Sequence, residues 1–184
     1  KLYIEGFCNF KYELAAMITI DTNDKIITYP VVESIQKNHI CHIVRAPAII
    51  DTKLAKNALD LAVKAVKAID GIGTIGVEMF CTKNSEIIVN EMAPRVHNSG
   101  HYTIEACKTS QFENHVRTIL GLPLGSSRMI APAAVMINML GNKERNGSPT
   151  GIEKALAIEG AYVHVYGKTT TNIGRKMGHV TALG

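Results

Sequence analysis

Residues 76–90 constrain the chain most. Gly76–Thr82 and Glu86–Asn90 are short runs rich in Val, Ile, Met and Phe, separated by Lys83-Asn84-Ser85. Apolar, β-branched runs around turn residues predict a β-hairpin. A two-residue loop at Asn84-Ser85 puts Glu78 directly opposite Glu91. Like charges opposed across a ladder are destabilising. Two readings resolve the conflict. Both acids point to solvent and pair with Lys or Arg, since a one-residue slip in the turn moves either to the other face. Alternatively a divalent cation lies between them. Hard oxygen ligands from two or three side chains, with room left for phosphate oxygens, suit magnesium, and Asn90 adds a neutral oxygen beside Glu91.

The other elements surround this hairpin. Glu13–Asp21 and Ile26–Glu33 read as two strands joined at Thr22-Asn23-Asp24, with Pro30 marking an edge or bulge. Across Thr52–Ile69, residues Leu54, Ala58, Leu61, Ala62, Ala65, Val66 and Ile69 follow helical spacing. Asp51 or Thr52 can cap that helix and Gly71 can end it. Ser110-Gln-Phe-Glu113 is a capping-box pattern opening a helix through Leu120, closed by Gly121 and Pro123. Beyond Pro123 the pattern becomes strand-rich: Ala133–Leu140, Ala161–Tyr166 and His179–Leu183, with a loop over Asn142–Gly151 and a short helix near Lys154–Ile158. The expected fold class is α+β, with a larger unit over 1–127 and a small β-rich unit over 128–184.

Composition narrows the function classes. Of 184 residues, 46% are hydrophobic and 20% charged, which suits a globular chain and not a disordered one. A net charge of +4 without basic runs or aromatic interleaving speaks against a nucleic-acid partner. The apolar stretch near Ile130–Leu140, broken by Pro132 and Asn138, is too short to span a bilayer. Lys1–Glu5 shows no initiator Met and no charged-then-apolar leader, so the expectation is a cut into a longer chain. Cys8, Cys41, Cys81 and Cys107 form no CxxC motif and read as reduced thiols of an intracellular protein. His39-x-Cys41-His42 is spaced too tightly for the usual four-ligand zinc site.

Two clusters suit anions. Arg95, His97, Asn98, Ser99 and His101 follow Glu91 within ten residues. A loop of this kind after an acidic strand can hold an anionic substrate through charge-assisted hydrogen bonds. Gly167-Lys168 and Gly174-Arg175-Lys176-x-Gly178-His179 offer cations and glycine amides suited to a phosphate monoester. The plainer readings are a surface cation for Arg95, structural histidines, and a solvated hairpin tip.

The run from Asn90-Glu91-Met-Ala-Pro-Arg95-Val-His97-Asn98-Ser99-Gly100-His101 through Thr109-Ser110-Gln111-Phe112-Glu113-x-His115, with Gly121-Leu-Pro-Leu, Tyr166-Gly167-Lys168 and Arg175-Lys176-Met-Gly178-His179, resembles one family. That family is the ATPase subunit of phosphoribosylaminoimidazole carboxylase, or 5-(carboxyamino)imidazole ribonucleotide synthase, an ATP-grasp ligase of purine biosynthesis. The resemblance covers essentially the whole chain. Cys41 and Gly76-Val-Glu78-Met-Phe80 look most like the fungal, fused form.

The resemblance implies the second half of an ATP-grasp fold followed by a small β-rich C-terminal domain. It implies ATP and magnesium as cofactors, bicarbonate and aminoimidazole ribonucleotide as partners, cytoplasmic location, and a homodimer. Glu5 to Cys8 match the segment lying against adenine, Glu13 the acid holding the ribose, and Gln36 a nucleotide contact. Glu78 and Glu91 match the magnesium acids, with Asn90 beside them. Arg95 and His97 match the catalytic residues near bicarbonate and carboxyphosphate, in a substrate loop with Asn98 and Ser99. Lys168 and Arg175, with Lys176 adjoining, match the ribonucleotide-phosphate site. The family usually carries Val at Cys8 and often His at Gln36, and a basic residue often present is missing from Thr169–Asn172. No Gly-rich phosphate loop precedes Glu5, so the expectation is that these residues alone do not turn over. The competing readings are another ATP-grasp ligase using bicarbonate or a carboxylate, and a non-catalytic remnant.

Overall fold

The computed structural model describes residue 2 and residues 4–184. Strands β1 (Phe10–Ile20), β2 (Ile26–Thr28), β3 (Val32–Lys37) and β4 (Ile40–Ala46) precede helix α1 (Thr52–Lys67), then β5 (Gly73–Thr82) and β6 (Ile87–Ala93). A single 3-10 turn at Asn98–Gly100 leads to α2 (Thr103–Ala106) and α3 (Gln111–Ile119). The remainder is β7 (Ala134–Leu140), β8 (Arg145–Asn146), α4 (Ile152–Leu156), β9 (Ala161–Val165), β10 (Thr170–Thr171) and β11 (Lys176–Leu183).

The α+β expectation holds. A nine-stranded sheet runs β6-β5-β1-β3-β4-β7-β11-β9, with β2 also on β1, while β8 and β10 pair separately. Pairing of β7 with β4 carries the C-terminal strands onto the same sheet as the N-terminal ones. Pro30 divides the run expected as one strand over Ile26–Glu33 into β2 and β3, because its nitrogen has no proton for the ladder.

Helix α1 forms as its spacing predicts. The Asp51 carboxylate accepts from the amides of Lys53 and Leu54, satisfying two otherwise orphaned donors. Ala58, Ala62 and Val66 recur every four residues and are fully buried. The helix stops at Lys67, short of Ile69, since the chain turns through Asp70 at φ +48° and Gly71 N–H closes on the Val66 carbonyl.

Strand β1 is the hub, and from Leu14 to Ile20 it is buried on both faces. Leu14, Ala16, Ile18 and Ile20 pack with Ile75, Val77 and Met79 under α1. On the opposite face Ala15 and Met17 pack with Tyr29, Val44, Tyr102 and Ala106, covered by α2. Alternation along β5 places Gly76, Glu78 and Phe80 on this second face.

The hairpin closes differently from the two-residue loop expected, yet with the expected pairing. Near the turn Met79 pairs with Val89 and Cys81 with Ile87, which leaves a three-residue loop, Lys83–Ser85, with Ser85 at φ +63°. A bulge at Asn90 then restores the register, so Glu78 does stand opposite Glu91.

Candidate active site

A groove runs along the sheet face opposite α1. At one end it is lined by Phe10, Glu13 and Gln36. Its middle holds Glu13, Ser34, Gln36, Glu78 and Asn90. At the far end stand Gln36, His39, Glu78, His97, Lys168 and Lys176. Gln36 and Glu78 line adjoining stretches, so these hollows form one continuous surface, acidic at its centre and cationic at one end.

Local chemistry explains each placement. Phe10 on β1 stacks on Phe80 of β5, ring centroids 4.6 Å apart, forming an aromatic wall. The bulge brings Asn90 to the same hollow as Glu78. The tight β3–β4 turn passes through Asn38 and His39, both at positive φ, and presents His39 at the groove's mouth. Lys168 donates to the Lys176 carbonyl at 2.5 Å, which ties the two basic residues together.

The acids are electrostatically strained. Burial, then Glu91, then Glu13 push the Glu78 carboxyl above its usual range, with Lys176 opposing. Burial also raises Glu13, offset by Gln36 and His39. His97 Nε2 lies 3.6 Å from Glu78 Oε1. This is no ion pair, because burial, aided by Arg95 and Lys176, lowers the His97 pKa to about 4 and leaves the ring neutral near pH 7. Ser99 N–H donates to His97 Nδ1 at 3.4 Å, so Nε2 carries the proton and faces the acid. Gly76 makes this approach possible: a Cβ there would sit 2.5 Å from His97 Cβ.

The structure thus gathers Glu13, Gln36, Glu78, Asn90, His97, Lys168 and Lys176, with Glu91 opposite Glu78. Other sequence-predicted residues stand differently. Glu5 is exposed and Cys8 half-buried ahead of β1, and neither lines the groove. Arg95 is exposed and donates to the Val96 carbonyl. Arg175 donates to the Thr170 carbonyl and hydroxyl, 2.9 Å each. Asn98 and Ser99 turn inward: the Asn98 carboxamide pairs with Asn138, and Ser99 is buried. Among the described residues no three His, Cys, Asp or Glu side chains gather as a metal cluster. The four cysteines are free.

Sequence reasoning missed Gln111 and Asn138 as parts of this site. Gln111 is fully buried and bonds the backbone of His97. Asn138 was visible only as a lone polar residue interrupting an apolar strand.

Residues 1–112 match the model of the ATP-grasp domain, and the chain belongs to the ATP-grasp family. Residues 134–184 match the phosphoribosylaminoimidazole carboxylase C-terminal domain. Among curated relatives, the chain is 48% identical over 183 residues to phosphoribosylaminoimidazole carboxylase of Ogataea methanolica, covering 97% of this chain and 34% of that protein. It is 42% identical to N5-carboxyaminoimidazole ribonucleotide synthase of Synechococcus elongatus, covering 98% and 46%. Its fold superposes on N5-carboxyaminoimidazole synthase from Aspergillus clavatus, solved with ADP and 5-aminoimidazole ribonucleotide, with a TM-score of 0.90, 41% identity, and 97% and 48% coverage. The chain therefore spans between a third and a half of these relatives' length. Among the described residues no helix is long and apolar enough to cross a membrane.

Proposed function

We propose that this chain supplies half of the active site of an ATP-dependent ligase of purine biosynthesis. The reaction is carboxylation of aminoimidazole ribonucleotide by bicarbonate, through carboxyphosphate, to 5-(carboxyamino)imidazole ribonucleotide. The observation that carries this reading is the groove itself: an aromatic-walled end, a central group of opposed acids, a neutral imidazole against Glu78, and paired lysines beyond. Those features suit a nucleotide, its phosphates, a small anion and a phosphate monoester, in that order.

Glu13, with Gln36 beside it, takes the nucleotide ribose, and Glu5 and Cys8 the base side. Glu78 and Glu91, with Asn90, fit a divalent cation, because their mutual repulsion is what such an ion relieves. When bound, magnesium supplies charge neutralisation to the transferring phosphoryl group. A bicarbonate oxygen displaces ADP from the γ-phosphorus. The exocyclic amine then attacks the carboxyl carbon, phosphate leaves and the amine gives up a proton. His97 holds its one ring N–H against Glu78 and so orders the carboxylate beside the anion, and Arg95 adds charge at the same loop. With a pKa of about 4 and Nδ1 already accepting from Ser99, the imidazole works as a donor and not as a general base. Lys168 and Lys176 hold the ribonucleotide phosphate with Arg175. Asn98 and Ser99 shape the loop from within.

The same reading takes 1–127 as ATP-grasp half and 128–184 as C-terminal domain, a cytoplasmic homodimer as the working form, and no turnover by these residues alone. The test is ADP release by the longest natural polypeptide carrying this segment, supplied with magnesium-ATP and bicarbonate, with and without aminoimidazole ribonucleotide. Release should require the ribonucleotide and fall to background in a Glu78→Gln/Glu91→Gln variant. Release indifferent to the ribonucleotide would assign the groove to another ATP-grasp ligase.

A further inference from the structure

Two buried carboxamides grip the loop that carries His97, from opposite sides. From α3, Gln111 Nε2 donates to the His97 carbonyl at 2.7 Å, and Gln111 Oε1 accepts the His97 N–H at 3.0 Å. Both backbone groups of one residue are therefore held by a single side chain. From β7, Asn138 Nδ2 donates to Asn98 Oδ1 at 2.7 Å, and its Oδ1 accepts from Asn98 Nδ2 at 2.9 Å. Asn138 also donates to the Cys41 carbonyl of β4. Gln111 and Asn138 are 0% and 2% exposed.

Each grip is itself braced. Thr103 Oγ1 accepts the Gln111 N–H at 3.0 Å and donates to the Gly100 carbonyl at 2.6 Å. The Gln111 carbonyl accepts from Thr74, whose hydroxyl lies 2.7 Å from that of Thr19 on β1. Gly100 leaves the space Gln111 needs, since a Cβ there would fall 2.5 Å from Gln111 Oε1. A polar column thus runs from the central strand to the loop. Buried carboxamides without partners are costly, so a column this complete specifies one loop geometry.

We infer that Gln111 and Asn138 are positioning residues that fix the His97 ring with Nδ1 on the Ser99 amide and Nε2 aimed at Glu78. Neither side chain lines the groove, so both act through the loop. Asn138 additionally registers the loop against β7, the neighbour of β11, from which Lys176 projects. The inference rests on the ligase reading for its kinetic consequence, but not for its geometric one.

The test uses the longest natural polypeptide, wild type and Gln111→Met, with melting curves to verify folding. Ring ¹⁵N shifts of His97 in alkaline buffer should report one Nε2–H tautomer in the wild type. In Gln111→Met they should report a tautomer mixture. The kcat should fall about 10- to 100-fold, as for lost orienting partners, with the ATP KM changed less than about threefold. Asn98→Ala, which releases only the Asn138 grip, should give a smaller loss in the same direction. Unchanged His97 shifts in a folded Gln111→Met protein overturn the inference. Should that variant not fold, amide hydrogen exchange in the wild type decides: a His97 N–H exchanging as fast as a free loop amide rejects the clamp. A wild type lacking ribonucleotide-dependent ADP release defeats the ligase reading alone, and the His97 shifts still judge the clamp.

Discussion

The two faces of β1 are built on opposite principles. The face under α1 is built from apolar side chains: Leu14, Ile18, Ile75, Val77, Ala58, Ala62 and Val66 pack into one cluster. The other face buries Tyr29, Gln111, Asn114, Thr19, Asn138 and His179. There Asn114 Nδ2 donates to the Tyr29 hydroxyl, which donates in turn to the Thr109 carbonyl. An apolar face needs only volume and pattern, and tolerates exchange. A polar face depends on its partners, because an unmet group costs more than a made bond returns, and here Ser99 Oγ and His179 Nε2 are buried without one. The groove lies on the second face, where the Gln111, Asn114 and Asn138 carboxamides set the geometry through their hydrogen bonds.

The sharpest way to break this contrast is Gly76→Ala. One added methyl on the polar face collides with His97, and activity of the full polypeptide should drop about 100-fold, as for small misplacements of reacting groups. Loss of less than about threefold would mean that the groove tolerates displacement as the apolar face does.

Acid should unfold the polar face first. Burial lowers His97 and His101 to about 4 and His179 to about 3, against an ordinary 6.5. Between those values the unfolded chain binds protons that the folded chain refuses. The stability these rings contribute is present above pH 6.5 and is lost as pH falls toward 4. Glu78 and Glu13, shifted upward, act with the opposite sign and offset part of the loss. From pH 7 to 5 stability should fall by on the order of 3 kcal/mol, read from denaturant midpoints. A flat profile would show the rings to be hydrated.

On the apolar face, Val66→Ala should cost about 2 kcal/mol from lost methyls and the cavity left behind, with kcat unchanged. A fall in kcat matching that of Gly76→Ala would erase the distinction. Smallest is Asp51→Ala, which removes the α1 cap at about 1 kcal/mol. Its effect should appear in melting temperature and not in substrate KM.

Legibility in the sequence follows the same division. Helix α1 was readable because burial every four residues needs no distant partner. The Ser110 cap was readable too, since its hydroxyl accepts from Glu113 three residues on. Glu113 itself departs from the capping box, bonding Arg117 instead of returning to Ser110. The two acids stand opposed although the loop differs in length from the one the pattern predicts. Three turn residues replace two, and the extra residue at Asn90 compensates. A turn's length and a bulge several residues away are separate choices, and local pattern cannot see both.

By itself the sequence determined the alternation of elements, the caps, the opposed acids and the loop motif that marks the family. Only the tertiary structure decided that Asn98 faces Asn138, 40 residues on, and not the groove. It also decided that Gln111 holds His97, and that Lys168 and Lys176 meet Glu78 across one cleft. Periodicity encodes which face a residue takes within its own element. Which buried donor meets which acceptor depends on how separate elements pack, and that information exists only once the sheet has assembled.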